Sequence, residues 1–156
     1  MKINILAVGQ RLPNWINEGV QTYVKRLQSI CSLQLIEIPI SKHNKSSHTQ
    51  QAKIAEGSRL LKAIKPPHLI IALDEHGKQW NTLTLAKNLE QWQQAGLPLH
   101  FLIGGPDGLA AECLQKADAI WSLSPLTLAH GLARLVLIEQ IYRAFSILHH
   151  HPYHRS

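Results

Sequence analysis

Five short apolar runs, each followed by a segment of helical periodicity, predict an α/β fold: a mostly parallel sheet with helices on both faces. Two further observations support it. The runs are continuously apolar, as in strands buried on both faces. No linker, repeat or low-complexity stretch divides the chain, so residues 1–156 read as one domain around one core.

The first run, KINILAVG (2–9), is stopped by Gly9 and reads as a strand. Over 13–30, Trp15, Ile16, Val20, Tyr23, Val24 and Leu27 recur at helical spacing. LQLIEI (33–38) is a second strand, ended by Pro39, and a polar, basic loop covers 41–50. A helix over 49–65 places Ile54, Leu60, Leu61 and Ile64 on its apolar side. After Pro66-Pro67 comes the strand HLIIALD (68–74), then a loop, EHGKQW. Asn81 or Thr82 can cap a helix over 83–95. LHFLIG (99–104) is a fourth strand, followed by a turn and a short helix at about 108–116. AIWSL (119–123) is a fifth strand, and the last helix runs over 130–149.

Hydrophobic residues make up 45% of the chain, too many for a disordered one. The formal net charge of +6 points to a polyanionic partner, most simply nucleic acid, and a merely basic soluble protein is an equally open alternative. The N-terminal apolar stretch is too short for a signal-peptide core, and no run approaches a bilayer span. Cys31 and Cys113 lie in different elements and form neither a metal motif nor a disulfide framework. These features predict a cytoplasmic protein without membrane or metal.

Ligands of such sheets bind beyond the C-terminal ends of strands, at a topological switch point. Three strand ends stand out: Leu73-Asp74, Gly104-Gly105 and Leu123 onward. At Gly104-Gly105 the backbone can approach a ligand without a side chain between, although Pro-Asp-Gly is also ordinary turn chemistry. Neither a phosphate loop nor a dinucleotide fingerprint is present. Asp74 and Glu75 are adjacent, so they point apart and make a poor acid–base pair. The uncharged loop Leu123, Ser124, Pro125, Leu126, Thr127, Leu128 suits an adenine ring. It offers apolar walls, unpaired backbone groups and two hydroxyls; a buried connection is the bland alternative.

The last helix is apolar over a wide arc. Leu132, Leu135, Ile138, Ile141, Phe145 and Leu148 make one stripe, and Val136, Leu137 and Ile147 widen it. The surplus predicts burial against a second copy of the chain, with Glu139 and Arg143 paired at i, i+4. The alternative is a central helix of a monomer. Beyond it, three consecutive His share no face, so they make a poor metal set. Tyr153 can stack on a base, Arg155 can pair with phosphate, and His154 can move protons near neutral pH. A frayed end is the ordinary alternative.

INILAVGQRLPNW, LDEHGK, FLIGGPDGL, LSPLTLAHGLAR and EQIYRAFSILHHHPYHR together resemble, in order and spacing, the ribosomal RNA large-subunit methyltransferase H family of the SPOUT class. The resemblance spans essentially the whole chain. It implies a SPOUT-type α/β sheet with a C-terminal deep trefoil knot, and a homodimer. It also implies S-adenosyl-L-methionine as cofactor and methylation of N3 of a pseudouridine, position 1915 of 23S rRNA, in the assembled ribosome. The family's cofactor contacts fall on Leu73, Gly104 and Leu123, Ser124, Pro125, Leu126, Thr127 and Leu128. Tyr153, His154 and Arg155 become the catalytic candidates, with His154 the first to test as a base. Where the family commonly has proline, this chain has Ala129, which makes the start of the last helix less rigid. A non-catalytic RNA-binding or ribosome-associated factor is the rival class. A nucleotide-binding dehydrogenase lacks its glycine fingerprint.

Overall fold

The computed structural model describes residues 1–41 and 49–155. Most of the basic loop at 41–50 lies outside the described residues. Five strands and five helices alternate: β1 (Lys2–Val8), α1 (Asn14–Leu27), β2 (Ser32–Ile38), α2 (Thr49–Lys62), β3 (Leu69–Gln79), α3 (Thr82–Ala95), β4 (Leu99–Ile103), α4 (Ala111–Lys116), β5 (Ala119–Ser122) and α5 (His130–Leu148). The strands form one parallel sheet in the order β2-β1-β4-β3-β5.

That order fixes where each helix lies. The steps β1 to β2 and β3 to β4 cross the sheet in one direction; β2 to β3 and β4 to β5 return. Right-handed crossovers then place α1 and α3 on one face and α2 and α4 on the other. Packing agrees, since α5 contacts both α1 and α3 while α2 contacts α4. Side chains divide by strand parity. Ile3, Ile5, Phe101 and Ile103 join Leu137, Ile138, Ile141 and Phe145 on the α5 face. Leu6, Val8, Leu102, Ile70 and Ala72 join Leu60 and Cys113 on the α2 face.

Three sequence expectations change. First, β3 does not stop at Asp74 but runs to Gln79, with a register shift against β5 between Leu73 and Lys78. Gly77 explains this: a Cβ there would lie 2.7 Å from the Ile120 backbone, so only glycine lets the extension reach β5. Second, Ile54 is not on the buried side of α2 but 52% exposed. The inward residues are Ala52, Glu56, Gly57 and Leu60. Small residues face in because α4 comes close; a Cβ on Gly57 would lie 2.8 Å from that of Ala110.

Third, the buried stripe of α5 centres on Arg134, Leu137, Ile138, Ile141 and Phe145, while Leu132 is 39% exposed. Arg134 is fully buried because it binds the sheet edge: Nη1 donates to Glu37 at 2.8 Å and Nη2 to the Gly9 carbonyl at 3.2 Å. The cap expected at the start of α3 forms. Asn81 caps α3 by accepting from the Thr84 amide at 2.9 Å, and Gly96 closes that helix at φ 73°.

Candidate active site

The connections from β1 and β3 leave toward the α5 face, whereas the one from β4, between them, leaves toward the α2 face. The C-terminal end of β4 is therefore a switch point, with Gly104 at its rim and Leu73 on the neighbouring strand. Leu73 pairs in register with Trp121, two residues before Leu123. The sheet thus brings the first two strand ends and the start of the 123–128 loop to one edge.

Gly104 has a structural reason of its own. A Cβ would stand 2.5 Å from the Gly108 carbonyl carbon, inside a turn in which Gly108 N–H donates to the Gly105 carbonyl at 3.0 Å and Gly108 has φ 82°. Any side chain at 104 would break that turn whether or not a ligand binds.

The 123–128 loop is shaped by its own hydroxyls. Ser122 Oγ donates to the Ser124 carbonyl, and Ser124 Oγ accepts from the Leu126 amide, each at 2.9 Å. Thr127 Oγ1 donates to Glu75 Oε2 at 2.9 Å, tying the loop to the β3 extension. Pro125, Leu126 and Thr127 are exposed, Leu126 by 72%, while Leu123, Ser124 and Leu128 are half-buried. Among the described residues no hydrogen bond occupies the backbone N–H of Thr127 or Leu128. Below Leu123 a pocket of about 290 Å³ is lined by Trp80, Thr82, Trp121, Val136 and Gln140, with Trp80 stacked on Trp121 at 5.0 Å.

The tail folds back into the groove between α1 and α5. Tyr153 Oη donates to Glu139 Oε1 at 3.2 Å and lies 3.3 Å from Tyr23 Oη. Arg143 donates to the same Glu139 oxygen from Nε and Nη2, both at 2.9 Å, so the i, i+4 pair forms. The Arg26 guanidinium stands 5.2–5.8 Å from the ring centroids of Tyr23, Tyr142 and Tyr153, and that of Arg143 lies 4.8 Å from Tyr153. Burial, the Tyr23 hydrogen bond and the Glu139 charge push the Tyr153 phenol up to about 12. His154 is half-buried, with an Nδ1 that has no hydrogen-bond partner among the described residues; Arg155 is exposed.

A family model described as a predicted SPOUT methyltransferase matches residues 1–154. The chain belongs to the SPOUT methyltransferase family. A protein of Nitrosococcus oceani named ribosomal RNA large subunit methyltransferase H is 53% identical over 156 residues, spanning 100% of this chain and 99% of that protein. One of the same name from Thioalkalivibrio sulfidiphilus is 46% identical and covers both chains fully. Among solved structures, a probable methylase family protein of Haemophilus influenzae matches with TM-score 0.60 at 13% identity, covering 99% of this chain and 70% of that one.

The arrangement brings to this candidate site residues that sequence spacing did not reveal. Gln140 Nε2 donates to Glu139 Oε2 at 2.6 Å, and Thr82 Oγ1 donates to Gln140 Oε1 at 2.7 Å. A continuous path therefore runs from Tyr153 through Glu139 and Gln140 to Thr82 and the pocket below Leu123. Tyr23, Arg26 and Thr82 are distant from the tail in sequence, and nothing in local pattern pairs them with it. Glu75 had a visible signal, a carboxylate beside Asp74 at a strand end. Its neighbour Asp74 accepts from the His76 amide at 2.9 Å and lies 3.3 Å from His76 Nδ1. Among the described residues no three His, Cys, Asp or Glu gather as metal ligands, and no helix is long and apolar enough to cross a membrane.

Proposed function

We propose that this chain, working as one domain over 1–156, is an S-adenosyl-L-methionine-dependent methyltransferase acting on N3 of a pseudouridine in 23S rRNA of the assembled ribosome. The observation that carries the reading is the edge where Leu73, Gly104 and Leu123 meet, on a chain with full-length relatives named for large-subunit rRNA methylation. A target inside ribosomes implies work in the cytoplasm.

The residues present fit the cofactor. Among the described residues the N–H groups of Thr127 and Leu128 have no acceptor and can serve as donors for an adenine edge, and Leu123 and Leu128 are apolar flanks. Leu73, Gly104 and Leu123 to Leu128 would hold it. The cofactor supplies an electrophilic methyl group on a sulfonium. The chain's part is to orient the attacking nitrogen, exclude water and take the imide proton. Tyr153, held neutral by its raised pKa, is a donor that positions the nucleotide rather than a base. That leaves His154, half-buried beside Tyr153 in the tail, for the proton. Arg143 stays charged and can offset the developing oxyanion. Arg155 is free to meet phosphate.

The reading includes a deep trefoil knot in the C-terminal segment. The close pass of Gly77 over Ile120 and the bond from Thr127 to Glu75 support it, because both hold that segment against the β3 extension. It also includes a homodimer, supported by Trp15 at 58% and Leu132 at 39% exposure on two helices that pack together. The rival, a non-catalytic RNA-binding factor, predicts no cofactor affinity.

The test is His154→Ala, measured by calorimetry with S-adenosyl-L-methionine and by single-turnover methyl transfer to ribosomes lacking the modification. We expect unchanged cofactor affinity and transfer reduced by about 10²–10⁴-fold, the usual contribution of a positioned base. Full transfer by the variant would remove His154 from the mechanism. A wild-type chain that binds no cofactor would return the reading to its rival.

A further inference from the structure

The chain's charge is unevenly placed. Residues 42–65 hold six of the 16 Lys and Arg (Lys42, Lys45, Lys53, Arg59, Lys62, Lys65) against one of the 10 Asp and Glu, Glu56. The remaining ten basic and nine acidic residues almost cancel. Such local asymmetry marks a site of interaction with a polyanion more sharply than net charge does.

The structure keeps the described part of that charge, Arg59, Lys62 and Lys65, outward. Arg59, Lys62 and Lys65 are exposed and Lys53 is half-buried, whereas Glu56 is buried. Lys62 and Lys65 make no ion pair among the described residues. Arg59 is steadied by donating Nη1 to the Pro39 carbonyl at 3.0 Å. Acidic groups nearby are already engaged. Glu112 of α4 pairs with Lys116 at 3.1 Å, and Asp118 accepts from the Ile70 amide at 2.8 Å. The outer surface of α2 is therefore positive and uncompensated.

Its position separates it from the proposed chemistry. The tail and its Glu139–Arg143 pair lie on the α5 face, and α2 lies on the opposite face. Two packing layers of about 10 Å each put roughly 20 Å between them. A single nucleotide cannot meet both, but a folded RNA can.

We infer that Lys62, Lys65 and Arg59 form a docking surface for the phosphate backbone of the RNA substrate, away from the reacting nucleotide. The inference rests on the function proposed above. The surface raises the rate of productive encounter with ribosomes and leaves the chemical step alone. Phosphate contacts of this kind position without reading sequence, and they weaken as salt rises.

The experiment compares wild type, Lys62→Glu/Lys65→Glu, Lys62→Gln/Lys65→Gln and a control, Lys87→Glu on α3. Single-turnover methyl transfer to unmodified ribosomes is followed against ribosome concentration at low and physiological salt. We expect the charge reversal to lower the second-order rate constant at low salt by at least about tenfold, within the range of electrostatic steering. The Gln pair should fall less. The slope of log rate against log salt should flatten by about one unit per lost phosphate contact. The rate at saturating ribosome, cofactor affinity and melting temperature should match wild type, and Lys87→Glu should change nothing. Unchanged rate and slope in both double variants would overturn the inference, as would an equal loss in the control. So would a loss of rate with the wild-type salt slope, which would indicate a contact that is not phosphate. Wild type inactive on ribosomes would instead sink the function proposed above.

Discussion

On the α5 face, a charge meets its counter-charge: fully buried Arg134 against the part-exposed Glu37 at 2.8 Å, with the Gly9 carbonyl beside them. On the α2 face the contact is a neutral pair, Asn4 donating to His100 Nε2 at 3.1 Å across the register match of β1 and β4. The first is an ion pair, so its stability depends on the partner being there. The second depends on the imidazole staying neutral. Burial lowers the His100 pKa, and the nearby charges of His68 and Lys2 lower it further. Two faces of one sheet thus carry opposite vulnerabilities, one to mutation of a partner and the other to acid.

The largest expected effect comes from breaking the charged pair. Glu37→Ala removes the counter-ion of a buried guanidinium, but Glu37 is itself 39% exposed, so water can partly replace it and the cost should be about 1.5–3 kcal/mol. The measurement is the urea midpoint at constant m-value. Glu37→Gln keeps an acceptor and should cost less. Equal stability of Glu37→Ala and wild type would mean that Arg134 is held by the Gly9 carbonyl alone.

Acid should test the other face. A histidine whose folded pKa lies below its ordinary 6.5 contributes stability that is present above pH 6.5 and lost as pH falls below it, because the unfolded chain binds the proton more readily. The melting temperature should therefore drop between pH 7.5 and pH 5. His100→Gln, which cannot titrate but still offers Asn4 an acceptor, should drop less. Parallel curves would place the acid sensitivity elsewhere, His130 being the next group because burial and Arg134 lower its pKa too.

The smallest effect sharpens the α5 side. Ala129 precedes α5 at φ −57°, ψ 142°, nearly the geometry of Pro13 before α1 at φ −53°, ψ 146°. Proline fits that backbone, and among the described residues no hydrogen bond uses the Ala129 N–H. Ala129→Pro should stabilise by about 0.4–1 kcal/mol by narrowing the unfolded ensemble, read as a small rise in melting temperature. A fall would show strain at Leu128.

Much of this was legible in the chain. Continuous apolar runs announce a parallel sheet, Asn81 announces the start of α3, and Gly104 and Leu123 are visible just past strand ends, whereas Leu73 lies within the longer β3. What escaped reading depends on contacts between distant segments. Ile54 looks like core until Gly57 is seen to admit α4, which turns the small side of α2 inward. EHGKQ looks like a loop because the partner that makes it a strand, Ile120–Trp121, lies more than forty residues on. Arg134 interrupts an apolar stripe and would be assigned to solvent, since only the fold supplies Glu37. The tail carries its chemistry in plain view, yet its docking against Tyr23 is a product of topology.

That docking has a consequence for how the molecule assembles. Tyr153 meets Tyr23 across 130 residues of sequence, and Arg134 meets Gly9 across 125. Closing such long loops costs chain entropy before any contact repays it. The α5 face cannot be completed until the last helix is in place, and until then Ile3, Ile5, Phe101 and Ile103 lack their cover. The α2 face, built from shorter connections, can form first. Folding is therefore expected to be slow and ordered. Its vulnerable intermediate is a sheet clothed on one side, with its other apolar surface awaiting the C-terminus and open to association with other chains in the meantime.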